Sequence, residues 1–250
     1  GNTDTDINGK LQQLDFDIYT KGYLIKDPIS ELKVVVMQNE RTDNKVVGVK
    51  PTYIGKDRLN YANNISLIFE GGSEYQSFDF SSLYTFGGNI EQITYKAPFY
   101  NVQLMNDRIS PRAPYNEIPD VNGKYIVHLQ RSSNVNSESD YMYVYFTLPA
   151  EQPFFDGSLY LLGNFNHNQL DEKVRMNYNL KRKAYEQTIL LKQGGYNYQY
   201  VFVPKGESVA TTTRVSGSYW QTKNEYLIYV YHRPFGERYD KLIGMKVISK

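Results

Sequence analysis

Tyrosine on every second residue is the feature of this sequence that most constrains its fold. Residues 141–146 and 196–202 both alternate in this way. Side chains two residues apart share one face of a β-strand, whereas a helix would spread them around its surface. These two segments therefore predict strands, with half of their side chains facing a core.

The same period of two recurs along the chain. Further strand patterns cover residues 14–19, 32–37, 64–69, 226–231 and 242–248. No 11-residue window has the spacing of an amphipathic helix, so we expect an all-β fold. Two prolines and an Asn-Gly step within residues 113–123 predict a linker or a turn. We therefore predict two immunoglobulin-like β-sandwich domains in tandem, over residues 1–121 and 122–250.

The charge balance and the residue usage exclude several classes of protein. The 28 Lys and Arg face 27 Asp and Glu, a net charge of +1. The chain thus lacks the basic footprint of a dedicated nucleic-acid binder. It contains no apolar run long enough to span a membrane and no export signal. Because it has no Cys, disulfides, thiolate metal sites and cysteine nucleophiles are absent.

No motif in the sequence predicts catalysis. The segment from Asp4 to Asp15 approaches the spacing of an EF-hand loop, but its last position is Asp rather than Glu and no helix precedes it. His128, His167 and His232 are scattered, and the Gly-x-Ser-x-Gly motif of hydrolases does not occur. We therefore predict a protein that is not an enzyme and holds no metal or cofactor. A buried histidine beside a serine and a carboxylate would instead indicate a hydrolase.

The second half of the chain resembles an early-set immunoglobulin-like domain. The resemblance is carried by residues 157–166, 176–179, 184–194 and 196–202. Glycogen- and starch-binding modules share this outline, but the Trp that usually follows their Phe-Asn turn is absent here, where Asn168 stands. The resemblance implies an immunoglobulin-like fold. Carbohydrate binding is the alternative function, with a glycan stacked on Trp220 and neighbouring tyrosines.

A second resemblance covers nearly the whole chain. It is carried by residues 32–39, 141–149, 190–202 and 230–244, of which the last run is the most specific. These segments resemble the plug protein family of the type IX secretion system, whose members are longer and carry a signal peptide and a further N-terminal β region. The resemblance implies that the chain corresponds to their C-terminal portion. The resemblance implies a non-enzymatic, periplasmic protein that docks on the periplasmic mouth of the large outer-membrane translocon barrel and closes it when no substrate is in transit.

Four residues are the candidate binding residues. Trp220 and Tyr219 lie in a predicted loop, where rigid aromatic rings provide a large contact area. Arg233 and Arg238 belong to the run over residues 230–244. We expect them to form an ion-pair corner with Asp240 beside a tight Phe-Gly turn, and a direct interface role is the alternative.

Overall fold

A computed structural model describes residues 9–84, 87–129 and 139–250, and these residues form an all-β protein. The fold class that the alternation predicts is therefore confirmed. The strands are β1 (Leu11–Gln13), β2 (Asp17–Tyr19), β3 (Leu32–Gln38), β4 (Val46–Val49), β5 (Tyr53–Ile54), β6 (Arg58–Asn60), β7 (Ile68–Glu70), β8 (Gln76–Asp79), β9 (Ile90–Lys96), β10 (Phe99–Leu104), β11 (Tyr125–Val127), β12 (Tyr141–Pro149), β13 (Gly157–Leu162), β14 (Asn177–Asn179), β15 (Ala184–Lys192), β16 (Gly194–Pro204), β17 (Glu225–His232) and β18 (Lys241–Ser249). The helices are α1 (Pro28–Glu31) and the 3-10 turns η1 (Ile65–Leu67) and η2 (Asn164–Asn166). Within the described ranges, no helix combines the length and the apolar character that crossing a membrane requires.

The chain divides into two compact units, one of which is discontinuous in sequence. Unit 1 combines the described residues up to Gly72 with Ser218–Lys250, and unit 2 is Ser73–Gly217. The boundary that we expected between residues 121 and 122 does not coincide with this division. Strand pairing is the physical reason, because β12 pairs in parallel with β10 and β17 pairs with β3, so each unit joins segments from both sides of that boundary.

Unit 2 packs two sheets around one core. The first sheet has the order β14-β15-β12-β10-β9, and the second has the order β11-β16-β13 with β8 also paired to β16. The core takes apolar side chains from both sheets, including Val102, Met142, Val144, Phe146, Leu159, Leu161, Tyr196 and Tyr198. Two sheets that share one core make a β-sandwich.

Strand β16 is buried on both of its faces. Tyr196, Tyr198 and Tyr200 lie in the apolar core, as the alternation predicts. The polar residues between them are buried as well: Asn197 accepts a hydrogen bond from the Val121 amide, and Gln199 donates to the Ser73 carbonyl. Their side chains therefore fasten loops to the sheet instead of facing water.

Unit 1 is built around the four-stranded sheet β18-β17-β3-β4. A three-stranded sheet, β2-β6-β5, and the pair β1-β7 complete it. One face of the four-stranded sheet supplies core residues, among them Val34, Val36, Tyr226, Ile228 and Val230. The opposite face carries the alternate residues of the same strands.

Two of the predicted strands are interrupted in unit 1. Over residues 14–19 only Asp17–Tyr19 is a strand, and over residues 64–69 the chain first forms the turn η1. The cause at the second place is Asn64, whose side chain accepts a hydrogen bond from the Ser66 amide and caps that turn. A capping asparagine competes with strand pairing even inside an alternating pattern.

Candidate functional site

The loop between β17 and β18 is a braced turn. The Arg233 Nε donates to Asp240 Oδ1 at 2.7 Å, and Lys33 Nζ lies 3.5 Å from the other carboxylate oxygen. The neighbouring Arg233 guanidinium, and secondarily Lys33, hold the pKa of Asp240 below its ordinary value. Lys241 pairs with Glu237 at 2.7 Å within the same loop. The predicted ion-pair corner is therefore present between Arg233 and Asp240.

The tip of this loop presents aromatic side chains to solvent. Phe235 is 99% exposed and Tyr239 is 62% exposed. Gly236, at φ 88°, occupies the left-handed conformation that a tight turn after Phe235 requires. Arg238 is exposed and takes part in no ion pair within the described part of the chain, so it is not part of the predicted corner.

The outer face of the four-stranded sheet also presents exposed apolar residues. On β18 it presents Leu242, Met245 and Val247, of which Met245 is 62% exposed. We call these three residues, together with Phe235 and Tyr239, the hairpin surface. Next to it lies a shallow depression of about 490 Å³ lined by Lys33, Val35, Met37, Lys45, Val47, Tyr229, Tyr231 and Asp240. An exposed apolar surface of this kind is typical of an interaction site.

His232, at the end of β17, is buried between a tyrosine and a carboxylate. The Tyr23 hydroxyl lies 2.9 Å from its Nδ1, and Glu31 Oε2 lies 3.2 Å from its Nε2. In the tautomer with its hydrogen on Nε2, the His232 ring donates to Glu31 and accepts from the Tyr23 hydroxyl. The hydrogen bond from His232 lowers the pKa of Glu31. Among the described residues no serine hydrogen-bonds to His232, so the cluster fastens α1 to β17 and lacks the serine of a hydrolase triad.

Trp220 and Tyr219 lie away from this loop in sequence, on the segment just before β17. Trp220 is 45% exposed, and its backbone is held by Gly9 and by the Gln12 side chain. Tyr219 is half-buried, and burial raises the pKa of its hydroxyl. Neither side chain lines the described cavities beside Gly195, Asp107, Tyr23 or Val35. The four candidate residues thus fall in two separate places.

Unit 2 contains a half-buried carboxylate, Asp107, that forms no ion pair within the described ranges. Asp107 Oδ2 accepts hydrogen bonds from Tyr198 at 2.8 Å and Tyr200 at 2.6 Å. Burial raises the pKa of Asp107, and this effect outweighs the two hydrogen bonds, which by themselves would lower the pKa. It borders a polar cavity of about 370 Å³ that Glu74 and Arg108 also line.

The sequence analysis did not identify the apolar residues of the hairpin surface. Their signal was present in residues 242–248, where apolar residues occupy successive positions and so appear on both faces of a strand. In the described ranges no group of His, Cys, Asp and Glu residues has the arrangement of a metal site. The first residues of the EF-hand-like segment, including Asp4 and Asp6, lie outside those ranges.

Comparison with known proteins finds a likeness to a solved structure. No protein-family model and no curated protein matches the chain. The crystal structure of a hypothetical protein from Parabacteroides merdae ATCC 43184 matches it with a TM-score of 0.95 and 42% sequence identity. The match covers 100% of this chain and 63% of the solved chain. The chain is therefore similar in fold to about three-fifths of a longer protein, and this likeness carries no functional information.

Proposed function

We propose that the chain is a non-enzymatic protein-interaction module of the periplasm, which docks on the mouth of an outer-membrane translocon barrel as a type IX secretion plug. The resemblance over residues 230–244 is one support for this proposal. The other is that this same stretch spans the end of β17, the braced loop and the start of β18, and includes three of the five residues of the hairpin surface. The most specific part of the resemblance thus coincides with an exposed apolar surface.

The observation that carries the proposal is the exposure of Phe235 on a braced turn. A fully solvated phenylalanine gains nothing from the fold of its own chain, because its ring buries no area there. A rigid loop that presents such a ring loses little conformational entropy when it enters a partner's pocket. Aromatic anchors of this type dominate the binding energy of protein interfaces.

The finer architecture that we propose is an immunoglobulin-like topology in each unit, with an early-set-like fold in unit 2. The two-sheet core of unit 2 supports this, as does the position of the resembling segments. Residues 157–162 form β13, and residues 184–192 and 194–204 form β15 and β16, the strands on which the early-set resemblance depends.

The test is a pull-down of the barrel from detergent-solubilised outer membranes of the bacterium that produces this protein. We expect the tagged chain to recover a large barrel protein and Phe235→Ser to recover much less. Phe155→Ser is the matched control, because Phe155 is an exposed phenylalanine in unit 2. Failure of the unaltered chain to recover a barrel would refute the plug function.

A glycan-binding function is the alternative, and the exposed ring of Trp220 is the observation that favours it. Retention of the chain on a polysaccharide resin, lost in Trp220→Ala, would support this alternative. Equal elution of the two forms with the buffer front would contradict it.

A further inference from the structure

Strand β18 forms an open edge of its sheet. It is nine residues long and pairs on one side with β17, and no other strand of the described residues pairs with it. Its unpaired edge presents backbone amides and carbonyls that another extended chain can use as a template. Most of its residues are exposed or half-buried and none is a proline, so the edge is accessible along its length.

The two faces of this edge strand differ in chemistry. Leu242, Met245 and Val247 lie on the outer face and are exposed. Lys246 lies on the other face, where it is paired in register with Ile228 of the core. Lys246 is exposed at the edge and has no ion pair within the described ranges. A charge that points toward the core side of an edge strand discourages pairing with an ordinary apolar strand.

The charge of Lys246 indicates which kind of partner strand can pair with the edge of β18. A partner strand that extends the sheet must place a side chain beside Lys246 on the core side, and a carboxylate there would neutralise it in a partly desolvated position. Two other cations lie close by in the fold: Lys45 lines the depression on the outer face, where Lys33 is already paired with Asp240, and the exposed Arg238 lies in the adjoining loop. The site therefore favours an acidic segment.

A second copy of β18 does not meet this requirement. Residues 241–249 contain two lysines and no Asp or Glu, so an identical strand has no carboxylate to offer Lys246. Self-pairing would bring basic strands together. The charge pattern thus indicates a different protein as the occupant.

We propose that β18 binds an extended acidic segment of a partner protein as an additional strand of the sheet. An Asp or Glu of that segment lies beside Lys246, and apolar residues at alternate positions cover Leu242, Met245 and Val247. This inference rests on the proposed function, since it names the kind of partner segment that the hairpin surface takes up.

The experiment uses the full chain and a fluorescent synthetic peptide as long as β18. In the peptide, valines alternate with threonines, and one central threonine is replaced by Glu. We expect saturable binding by fluorescence anisotropy, weakened about tenfold or more by Lys246→Glu. Lys181→Glu, an exposed lysine of unit 2, is the matched control and should leave binding unchanged. A peptide with a central Lys should bind Lys246→Glu better than it binds the unaltered chain.

Backbone pairing is tested separately with the same glutamate peptide methylated on alternate amide nitrogens. Methylation removes the donors that a new strand needs, so binding should be lost. Equal binding of the methylated peptide, or no rescue of Lys246→Glu by the lysine peptide, would overturn the inference. No binding of the glutamate peptide up to about 1 mM would overturn it as well.

The two proposals fail in different ways. If the pull-down recovers a barrel equally with the unaltered chain and with Lys246→Glu, the strand-pairing inference is wrong and the plug function stands. If the peptides bind as expected but no barrel is recovered, the plug function is wrong and the strand-binding edge stands with another partner.

Discussion

The Arg233 guanidinium and the Asp240 carboxylate join the two ends of the β17–β18 loop, with 2.7 Å between Nε and Oδ1. This ion pair closes the loop on the side opposite its exposed tip, where Phe235 stands. Because both charged groups are accessible to water, the pair orders the loop more than it stabilises the fold.

The first prediction concerns that ion pair. In Arg233→Ala, amide hydrogen exchange over residues 233–240 should accelerate, because the loop loses its brace. The thermal midpoint should change little, since exposed ion pairs add little stability. Arg238→Ala is the control and should leave the exchange rates unchanged. Equal exchange in both variants would show that Arg233 does not order the loop.

The second prediction concerns Asn224, which joins the two sequence segments of unit 1. Its Nδ2 donates to Gln12 Oε1 at 2.9 Å and to the Gly71 carbonyl at 2.8 Å, and its Oδ1 accepts from Asn39 at 2.7 Å. Asn224→Ala removes these buried bonds and should lower the free energy of unfolding by about 3 kcal/mol in urea titrations.

A comparison within the same network checks this magnitude. Tyr226→Phe removes the bond from the Tyr226 hydroxyl to Gln12 and the long bond of 3.3 Å that this hydroxyl accepts from Gln38. Gln12 Oε1 keeps Asn224 as a donor, and Gln38 keeps its bond to the Glu70 carbonyl. Its cost should be about 1 kcal/mol. If Asn224→Ala and Tyr226→Phe lowered the free energy of unfolding equally, Asn224 would not be the main link of this hydrogen-bond network.

The third prediction concerns the pH dependence that Glu31 confers. The hydrogen bond from His232 lowers the pKa of Glu31 below the ordinary value of 4.5. A lowered pKa means that this carboxylate stabilises the fold above pH 4.5, and that the contribution is lost as the pH falls through the lowered pKa. Glu31→Gln should therefore be less stable than the unaltered chain at neutral pH, and the difference should shrink in acid.

Thermal melts at neutral pH and at about pH 3 measure this difference. Tyr23→Phe is the control, because it alters the other side of His232 and keeps the Glu31 carboxylate. It should retain the pH dependence of the unaltered chain. A stability difference for Glu31→Gln that is the same at both pH values would refute the assignment.

The fourth prediction concerns Asp107, which should make the fold less stable as the pH rises, the opposite of the effect of Glu31. Burial raises the pKa of Asp107 above the ordinary value of 3.8, so the folded state retains a proton that the unfolded chain has lost. Stability should then fall as the pH rises from 3.8 through the raised pKa. Asp107→Asn removes this titration and keeps an oxygen that can accept from Tyr198 and Tyr200, so its stability should vary less with pH.

Urea titrations at several pH values between about 4 and 8 test this. Tyr200→Phe keeps the carboxylate and should keep the pH dependence, although it loses one hydrogen bond. If Asp107→Asn showed the same slope as the unaltered chain, Asp107 would not be the titrating group.

Several of the strands could be predicted from the sequence because alternation of side chains is a local rule. Residues 141–146, 196–202 and 226–231 fall within β12, β16 and β17, where alternate side chains enter a core. The partners of these strands could not be predicted. β3 pairs with β17 across nearly the whole length of the chain, and no local pattern encodes which strand meets which. Unit 1 is discontinuous in sequence for that reason.

The site was predictable in part. The ion pair of Arg233 with Asp240 follows from opposite charges on either side of a turn-forming Phe-Gly step. The exposure of Met245 does not follow, because apolar residues in a strand pattern are expected to face a core. Whether a face of a sheet is covered depends on the other sheets of the unit, and these are set by the long-range pairing.

The most direct test of the account is site-specific photo-crosslinking in outer membranes. A photoreactive phenylalanine analogue replaces Phe235 in one sample and Phe155 in another, both being exposed phenylalanines. We predict a crosslink from position 235 to a large outer-membrane barrel protein and none from position 155. Crosslinks to the barrel from position 155 but not from position 235 would contradict docking through the hairpin surface, and no barrel crosslink from either position would contradict the plug function.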